Sequence, residues 1–431
     1  MNGCRAVAHA TVLAIAAVAH GHPGLPETLS IDLRHGGDTE IAVGTSFGLL
    51  LSNDRGATWS WMCEAAIHYQ GRYVPTYAYL PSGTLFATTH DGLSANRDGC
   101  TFATTPLGAR TVSTIASDPS GALYIAASDS NDVNLYVTRD DAMTFPVMAT
   151  PAMRNDWWTT IQVAPSDPSI VYLAGYRLTP PTKQLLLFRS DDGGATFAPL
   201  PTTAFPVMPG TELTLGGISH ADPDLVFARL SRDDGDVEHT VFRSSDGGMT
   251  WTQVLTNRGK LAFLVRRNGD LVAGSRLTGA WISHDNGETW LDLPNAPHIS
   301  CLTETSLDEV WACTSNYGWM GVPSDGAGVM RSKDLDAWTP VLRFQDIAGP
   351  VDCAIGSEAH ACRAQWCDVK QQAGITSEVI DCSLPDAGIA MAPDTPPAGC
   401  CSTTGSRPES SILLGGGVAW LIARRRRGCV T

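Results

Sequence analysis

Ser52-Asn53-Asp54-Arg55-Gly56-Ala57-Thr58-Trp59 decides the fold, because the chain writes this octapeptide again and again. Ser190 to Phe197, Ser244 to Trp251 and Ser283 to Trp290 each place Ser, Asp, Gly, Thr and an aromatic at positions one, three, five, seven and eight. Weaker copies fill the intervals. Ala95 to Phe102 keeps Gly99, Thr101 and Phe102. Thr138 to Phe145 keeps Asp140, Thr144 and Phe145 but has Ala142 in the glycine place. Ser332 to Trp338 keeps Asp334 and is one residue short. Aligned on the final aromatic, the copies fall at 59, 102, 145, 197, 251, 290 and 338. Spacings of roughly 40–50 residues are those of propeller blades. Seven copies predict an all-β, seven-bladed β-propeller.

The octapeptide reads as a hairpin corner. Its Asp (Asp54, Asp140, Asp192, Asp246, Asp285 and Asp334) can accept hydrogen bonds from N–H groups of its own turn, and Gly supplies a backbone angle other residues resist. The aromatic then opens the next strand and packs between blades. Each copy is therefore expected to join the third and fourth strands of a blade. In blade four the pattern predicts strands over 158–163, 170–174 and 184–189. In blade six it predicts strands over 261–266, 271–274 and 280–283. A calcium reading fails on spacing, since the D-x-[DN]-x-[DN]-G order with its distal Glu is absent.

The octapeptide resembles the Asp-box of bacterial neuraminidase repeats. Ser117-Asp-Pro-Ser, Ser166-Asp-Pro-Ser-Ile-Val-Tyr172 and Ala221-Asp-Pro-Asp-Leu-Val-Phe227 are similar to the Asp-Pro turn and strand of xyloglucan-cleaving endoglucanases and sortilin-type domains. The resemblance covers about residues 25–347 and implies that the boxes occupy the face opposite the binding face. Sialidase chemistry is disfavoured: the Arg-Ile-Pro signature is missing, and Arg34 is followed by His35-Gly-Gly. Without that arginine an anionic sugar loses its bidentate clamp. Inverting glycoside hydrolysis needs two carboxylates roughly 6.5–9.5 Å apart. Asp91, Asp156 and Asp234 are available, but nothing in the spacing selects a pair, and no catalytic residue is assigned. No G-x-S-x-G, H-E-x-x-H or P-loop motif occurs.

If the boxes hold one face, the loops joining second to third strands and blade to blade form the other. There the sequence places Tyr69 and Tyr73 at the entry to blade two. Arg154, Trp157 and Trp158 enter blade four, and Tyr176 and Arg177 lie within it. Asp234 lies in blade five, and Tyr317 and Trp319 in blade seven. Aromatics and arginines on loops above a rigid scaffold suit sugar stacking or peptide capture. The ordinary alternative is that Trp157 or Trp158 packs between blades.

The ends carry addresses. Residues 1–21 read as a secretory signal, with Arg5 before an apolar core from Ala6 to Ala19 and cleavage after Ala19 or Gly21. Residues 384–410 form a Pro-, Gly-, Ser- and Thr-rich spacer containing Gly399-Cys400-Cys401. Residues 411–431 carry the apolar run Ile412–Ala423 and then Arg424 to Arg427. The arrangement resembles the Myxo-type C-terminal sorting signal of myxobacterial surface proteins. That resemblance implies a sorting protease, a membrane partner, and Cys400, or Cys401 beside it, as the modified anchor. The run of 12 residues is shorter than the roughly 20 a spanning helix needs. A plain tail anchor is the alternative.

Eight of the 12 cysteines remain once Cys4, Cys400, Cys401 and Cys429 are set aside, an even number for an oxidising compartment. Cys301 and Cys313 flank a turn symmetrically, so a hairpin brings them face to face. A Cys63–Cys100 bridge between adjacent blades is one pairing the positions allow. Cys353, Cys362, Cys367 and Cys382 fall in residues 348–383, too short a segment for a core of its own and in need of two staples. A net charge of −15, with no basic stripe outside the tail, argues against nucleic acid. No cofactor or metal is implied, and a monomer is expected. The combined expectation is an exported propeller, either held at the cell surface (outer membrane) or secreted, that binds a glycan or a protein. The alternatives are a secreted polysaccharide hydrolase and an assembly factor for envelope proteins.

Overall fold

Each octapeptide closes on itself through its own side chains. In the first, Ser52 Oγ donates to Asp54 Oδ1 at 2.8 Å and accepts from Gly56 N–H at 2.8 Å. Asp54 in turn accepts from Thr58 N–H at 2.9 Å and from the Thr58 hydroxyl at 2.6 Å. The same bonds recur around Asp192, Asp246 and Asp285. They recur around Asp140, with Thr138 in the serine place. These bonds, led in each case by the threonine hydroxyl, hold the carboxyls of Asp140, Asp192, Asp246 and Asp285 down at about 2. The fifth position requires a left-handed backbone. Glycine supplies it with φ of 81–93° at Gly56, Gly194, Gly248 and Gly287, whereas Ala142 is forced to 62°.

The second-blade copy is built differently from the expected Ala95–Phe102 frame. Asn96 takes the serine role, its Oδ1 accepting from Gly99 N–H at 2.7 Å, and Asp98 accepts from the N–H groups of Cys100 and Thr101. It is a seven-residue turn like Ser332–Trp338, where Leu335 N–H bonds Ser332 and Ala337 N–H bonds Asp334. Asp98 is therefore a seventh turn carboxylate.

The computed structural model describes residues 26–69, 73–89, 91–128, 132–148, 152–180, 182–208, 210–232, 238–318, 321–377 and 380. Residues 1–21, read above as a secretory signal, and residues 384–431, read as spacer and sorting signal, lie outside the described residues. Seven sheets follow in chain order, antiparallel throughout except for a fifth strand added in parallel to the outer edge of the first. Their first strands are Thr28–Leu33, Tyr77–Tyr79, Thr111–Ser117, Asp156–Ala164, Glu212–Ile218, Leu261–Val265 and Cys301–Glu304, and each packs on its neighbours in a closed ring. Blade three keeps three strands, its fourth reduced to a bridge between Tyr136 and Val147. The core lies between blades: Tyr172, Leu185, Leu187 and Phe205 pack with Leu213, Leu215 and Phe242, for example. The result is the seven-bladed propeller that the turn spacing predicts, from Thr28 to Leu342.

Blade one owns all four of its strands, so the ring closes by contact with blade seven. Thr28 Oγ1 donates to Gly328 O at 2.7 Å, and the Trp59 indole N–H to Val341 O at 3.2 Å. Beyond blade seven the chain passes through a 3-10 turn, Phe344–Asp346, and lays Gly349–Pro350 parallel against Ser60–Met62. Two disulfides then staple this segment to the start of the ring. Cys63 is joined not to Cys100 but to Cys362, 299 residues away, and Cys100 is joined to Cys353, 253 residues away. The cysteine-rich segment thus borrows the propeller's core rather than building its own. Cys301 and Cys313 are joined directly across a hairpin. Cys367 is disulfide-bonded as well, and Cys382 lies outside the described residues.

Candidate functional site

Alternating antiparallel strands put the octapeptide turns on one face and the second-to-third-strand loops on the other. On that second face blade four stands out by length. Its second and third strands, Asp167–Thr179 and Thr182–Ser190, form a hairpin tipped by Thr179 and Thr182. Its first strand begins at Asp156, earlier than the expected 158, and runs to Ala164.

Consecutive residues on a strand point to opposite faces, and Trp157 and Trp158 are divided in this way. Trp158 is 1% exposed and meets Phe188 edge-on with ring centroids 5.8 Å apart, so it belongs to the core between blades three and four. Trp157 is 39% exposed and stands directly across from Tyr176 in register. The pairing slips by one residue at Thr159, a bulge that Gly175 permits: a Cβ there would lie 2.8 Å from the Trp158 ring and collide with the Trp157 carbonyl.

The pair is held from behind. Arg177 grips the buried Asp156 with two bonds, Nε–Oδ1 at 2.6 Å and Nη2–Oδ2 at 2.9 Å, which raises the Arg177 pKa. Asp156 also accepts from Met153 N–H at 2.8 Å. Lys183 places its ammonium 4.0 Å from the centroid of Tyr176 and donates to Thr211 O at 3.1 Å, linking the hairpin to the loop before blade five. Burial and the Glu212 carboxylate raise the Tyr176 phenol above its ordinary value. Leu178 and Met153, at 50% and 59% exposed, lie beside the pair in sequence, with Arg154 exposed between them and the bulge. Lys183, Glu212, Leu178 and Met153 were not singled out from the sequence; only their place on or beside this hairpin gathers them.

The other expected site residues are dispersed. Tyr69 is buried, and Tyr73 is half-buried with its hydroxyl donating to Thr88 Oγ1 at 2.8 Å, both between blades one and two. Tyr317 donates to Ala373 O at 2.5 Å and so holds the stapled segment. Asp234 and Trp319 lie outside the described residues. Of the acids considered for hydrolysis, Asp156 is taken by Arg177 and Asp91 is exposed on a turn. Arg34 pairs with Glu40 and donates to Pro81 O, a bond between blades one and two. Among the described residues no three His, Cys, Asp or Glu side chains are grouped to hold a metal, and no helix is long and apolar enough to cross a membrane.

No known protein-family profile matches this sequence. No curated protein matches it either. Among solved structures the chain is similar to an ancestral GH74 enzyme, at 13% identity and a TM-score of 0.47, over 66% of this chain and 43% of that one. It is similar to the GH74 xyloglucanase from Xanthomonas campestris at 16% identity and a TM-score of 0.34, over 71% of this chain and 57% of that one. It is also similar to a Hadza microbial sialidase at 16% identity and a TM-score of 0.38, over 63% and 70% of the two chains. The chain spans less than half the length of the ancestral GH74 enzyme. At these identities the likeness is one of fold.

Proposed function

We propose that this chain is an exported, cell-surface-anchored propeller that binds a glycan on the face opposite its octapeptide turns. One observation carries the reading: Trp157 is open to solvent and paired across the strands with Tyr176, on a hairpin clamped by Asp156 and Arg177. An aromatic face covers the C–H side of a sugar ring, and Lys183, Glu212 and Arg154 stand near to bond its hydroxyls. Residues 1–21 as export signal and residues 384–431 as sorting spacer, helix and arginine cluster supply the location. Cys400 is the anchor, with Cys401 beside it.

A glycan array probed with wild type and Trp157→Ala tests the binding. The expected result is retention of a defined glycan class by wild type and at least a tenfold loss in the variant. Capture of no glycan, capture unaffected by the substitution, or turnover in a chromogenic glycoside panel that a single carboxylate substitution abolishes would each overturn it. Mass spectrometry of the mature C-terminus tests the anchor: an unmodified tail ending at Thr431 in surface-displayed protein refutes sorting.

A further inference from the structure

The turn face holds a cleft that the packing rule of the propeller does not account for. In six blades the residue three before the turn's closing aromatic is covered by an apolar side chain from the outer edge of the preceding blade. A Cβ at Gly56 would stand 2.6 Å from Val341, at Gly248 2.6 Å from Leu200, and at Gly287 3.1 Å from Val254, while at Gly194 it would run into Met148. Ala142 and Leu335, the non-glycine cases, share cores with Leu107 and Leu293 respectively. Blade two breaks the rule. Gly99 is exposed and an added Cβ would meet nothing within 4 Å. Met62, three residues past Trp59 as Leu200 is past Phe197, is drawn instead into the buried cluster with Cys362 and Trp366.

The space left open is a cleft of about 500 Å³ between the turns of blades one and two, walled on its third side by Val351 and Asp352 of the stapled segment. That volume lies within the range of true ligand sites. Its charge is one-sided. Asp54, Asp98, Glu40 and Asp352 line it; Glu40 is paired with Arg34, and the one cation in the lining, Arg97, is itself held by Asp141 at 3.0 Å. Asp54 and Asp98 keep carboxyls below the usual range, burial notwithstanding, because their own turns bond them. The Asp352 side chain is 98% exposed, its nearest cation Arg363 3.8 Å away. A second observation is independent of the acids. Asn96, 4% exposed, lines the cleft with its amide nitrogen lacking any partner, although its Oδ1 is engaged by Gly99. A buried donor without an acceptor is costly and invites one.

We propose that this cleft is a second binding site, taking a short polypeptide segment that carries a lysine or arginine side chain. The segment supplies both things the cleft lacks: a carbonyl oxygen for the Asn96 amide and a cation for the carboxylates. The site is on the face opposite Trp157 and does not rest on the glycan reading, so each can fail alone.

The test uses the full-length chain with three blocked tripeptides, Ala-Arg-Ala, Ala-Lys-Ala and Ala-Glu-Ala, and with spermidine, followed by ligand-observed NMR. Asp98→Asn with Asp352→Asn removes two charges while leaving Oδ1 of residue 98 to accept its turn bonds. Asp352→Lys changes only an exposed side chain and covers the case in which the double variant is misfolded. The arginine and lysine peptides are expected to bind and the glutamate peptide not to. Both variants should weaken binding by about tenfold or more at unchanged melting temperature. Binding that ignores the charge of the peptide, survives Asp352→Lys, or is shown by spermidine but by neither basic peptide overturns the proposal. So does the absence of binding by any probe.

Discussion

The indole of Trp61 rests against that of Trp366 with ring centroids 5.7 Å apart, both rings buried, joining the outer strand of blade one to the helix Trp366–Gln372 that follows blade seven. Blade one owns four strands and takes a fifth, Gly349–Pro350, from beyond blade seven; this short strand, the tryptophan contact and the two staples form the clasp that holds blade seven's continuation to blades one and two. Trp366→Ala removes the buried ring and is expected to cost about 3–5 kcal/mol. Calorimetry under oxidising conditions should show it as a lowered melting temperature.

Breaking the staples should act on the same seam. Cys63→Ser with Cys362→Ser opens a loop of 299 residues and is expected to destabilise the fold by about 2–5 kcal/mol. Hydrogen exchange should then rise first in Thr28–Leu33, Ser60–Met62 and Thr339–Leu342, the strands along the seam. Uniform loss of protection around the ring would show that the staples do not act as a closure.

At residue 142 a left-handed backbone holds alanine where four other turns hold glycine. The penalty for an L side chain there is about 1 kcal/mol, partly offset because glycine is freer in the unfolded chain. Ala142→Gly is therefore expected to raise stability by no more than about 0.5 kcal/mol, the lost contact of the buried methyl with the Leu107 core setting against the gain. Gly248→Val works in the opposite sense, since φ is 93° and the new Cβ would stand 2.6 Å from Leu200. Denaturant midpoints of the two variants should move in opposite directions.

Stability should depend on pH with two opposed limbs. Burial raises Asp32 to about 7 against the hydrogen bond from Ser30, and burial alone raises Glu64 to about 7. Groups raised on folding favour the native state fully below their unfolded values near 4, and that contribution is lost as pH climbs toward 7. The turn carboxylates held at about 2 behave in reverse, their contribution present above about 4 and lost as pH falls toward 2. The melting temperature is expected to peak in mildly acid solution and to fall by several degrees by pH 8. Asp32→Asn should flatten the alkaline limb. A melting temperature constant from pH 5 to pH 8 would refute this.

The propeller was legible because each turn is locally self-sufficient: Ser, Asp and Thr satisfy their own loop, so the pattern needs no distant partner. The octapeptide frame places the second turn one residue early, because Asn96 replaces serine and the turn is one residue short, and so it passes over Asp98. The partners of Cys63 and Cys100 were beyond the sequence, since closure of the ring sets distances across more than 250 residues. The choice between Trp157 and Trp158 was equally hidden. It turns on which face of one strand each residue meets, and on a bulge at Thr159 that depends on Gly175 across the sheet.

Under the proposed function, that division between neighbouring tryptophans separates stability from binding. Trp158 is enclosed by Phe188 and the core of blades three and four, so Trp158→Ala should cost about 3–5 kcal/mol. Its indole nitrogen has no hydrogen-bond partner, and Trp158→Phe, which keeps a large ring and forfeits no bond, should cost clearly less than Trp158→Ala. Trp157→Ala removes a ring that is 39% exposed and should change stability by no more than about 1 kcal/mol. Glycan retention should follow the reverse order: Trp158→Phe keeps it, and Trp157→Ala loses it at nearly unchanged melting temperature. Retention lost in Trp158→Phe but kept in Trp157→Ala would move the binding surface away from the blade-four hairpin.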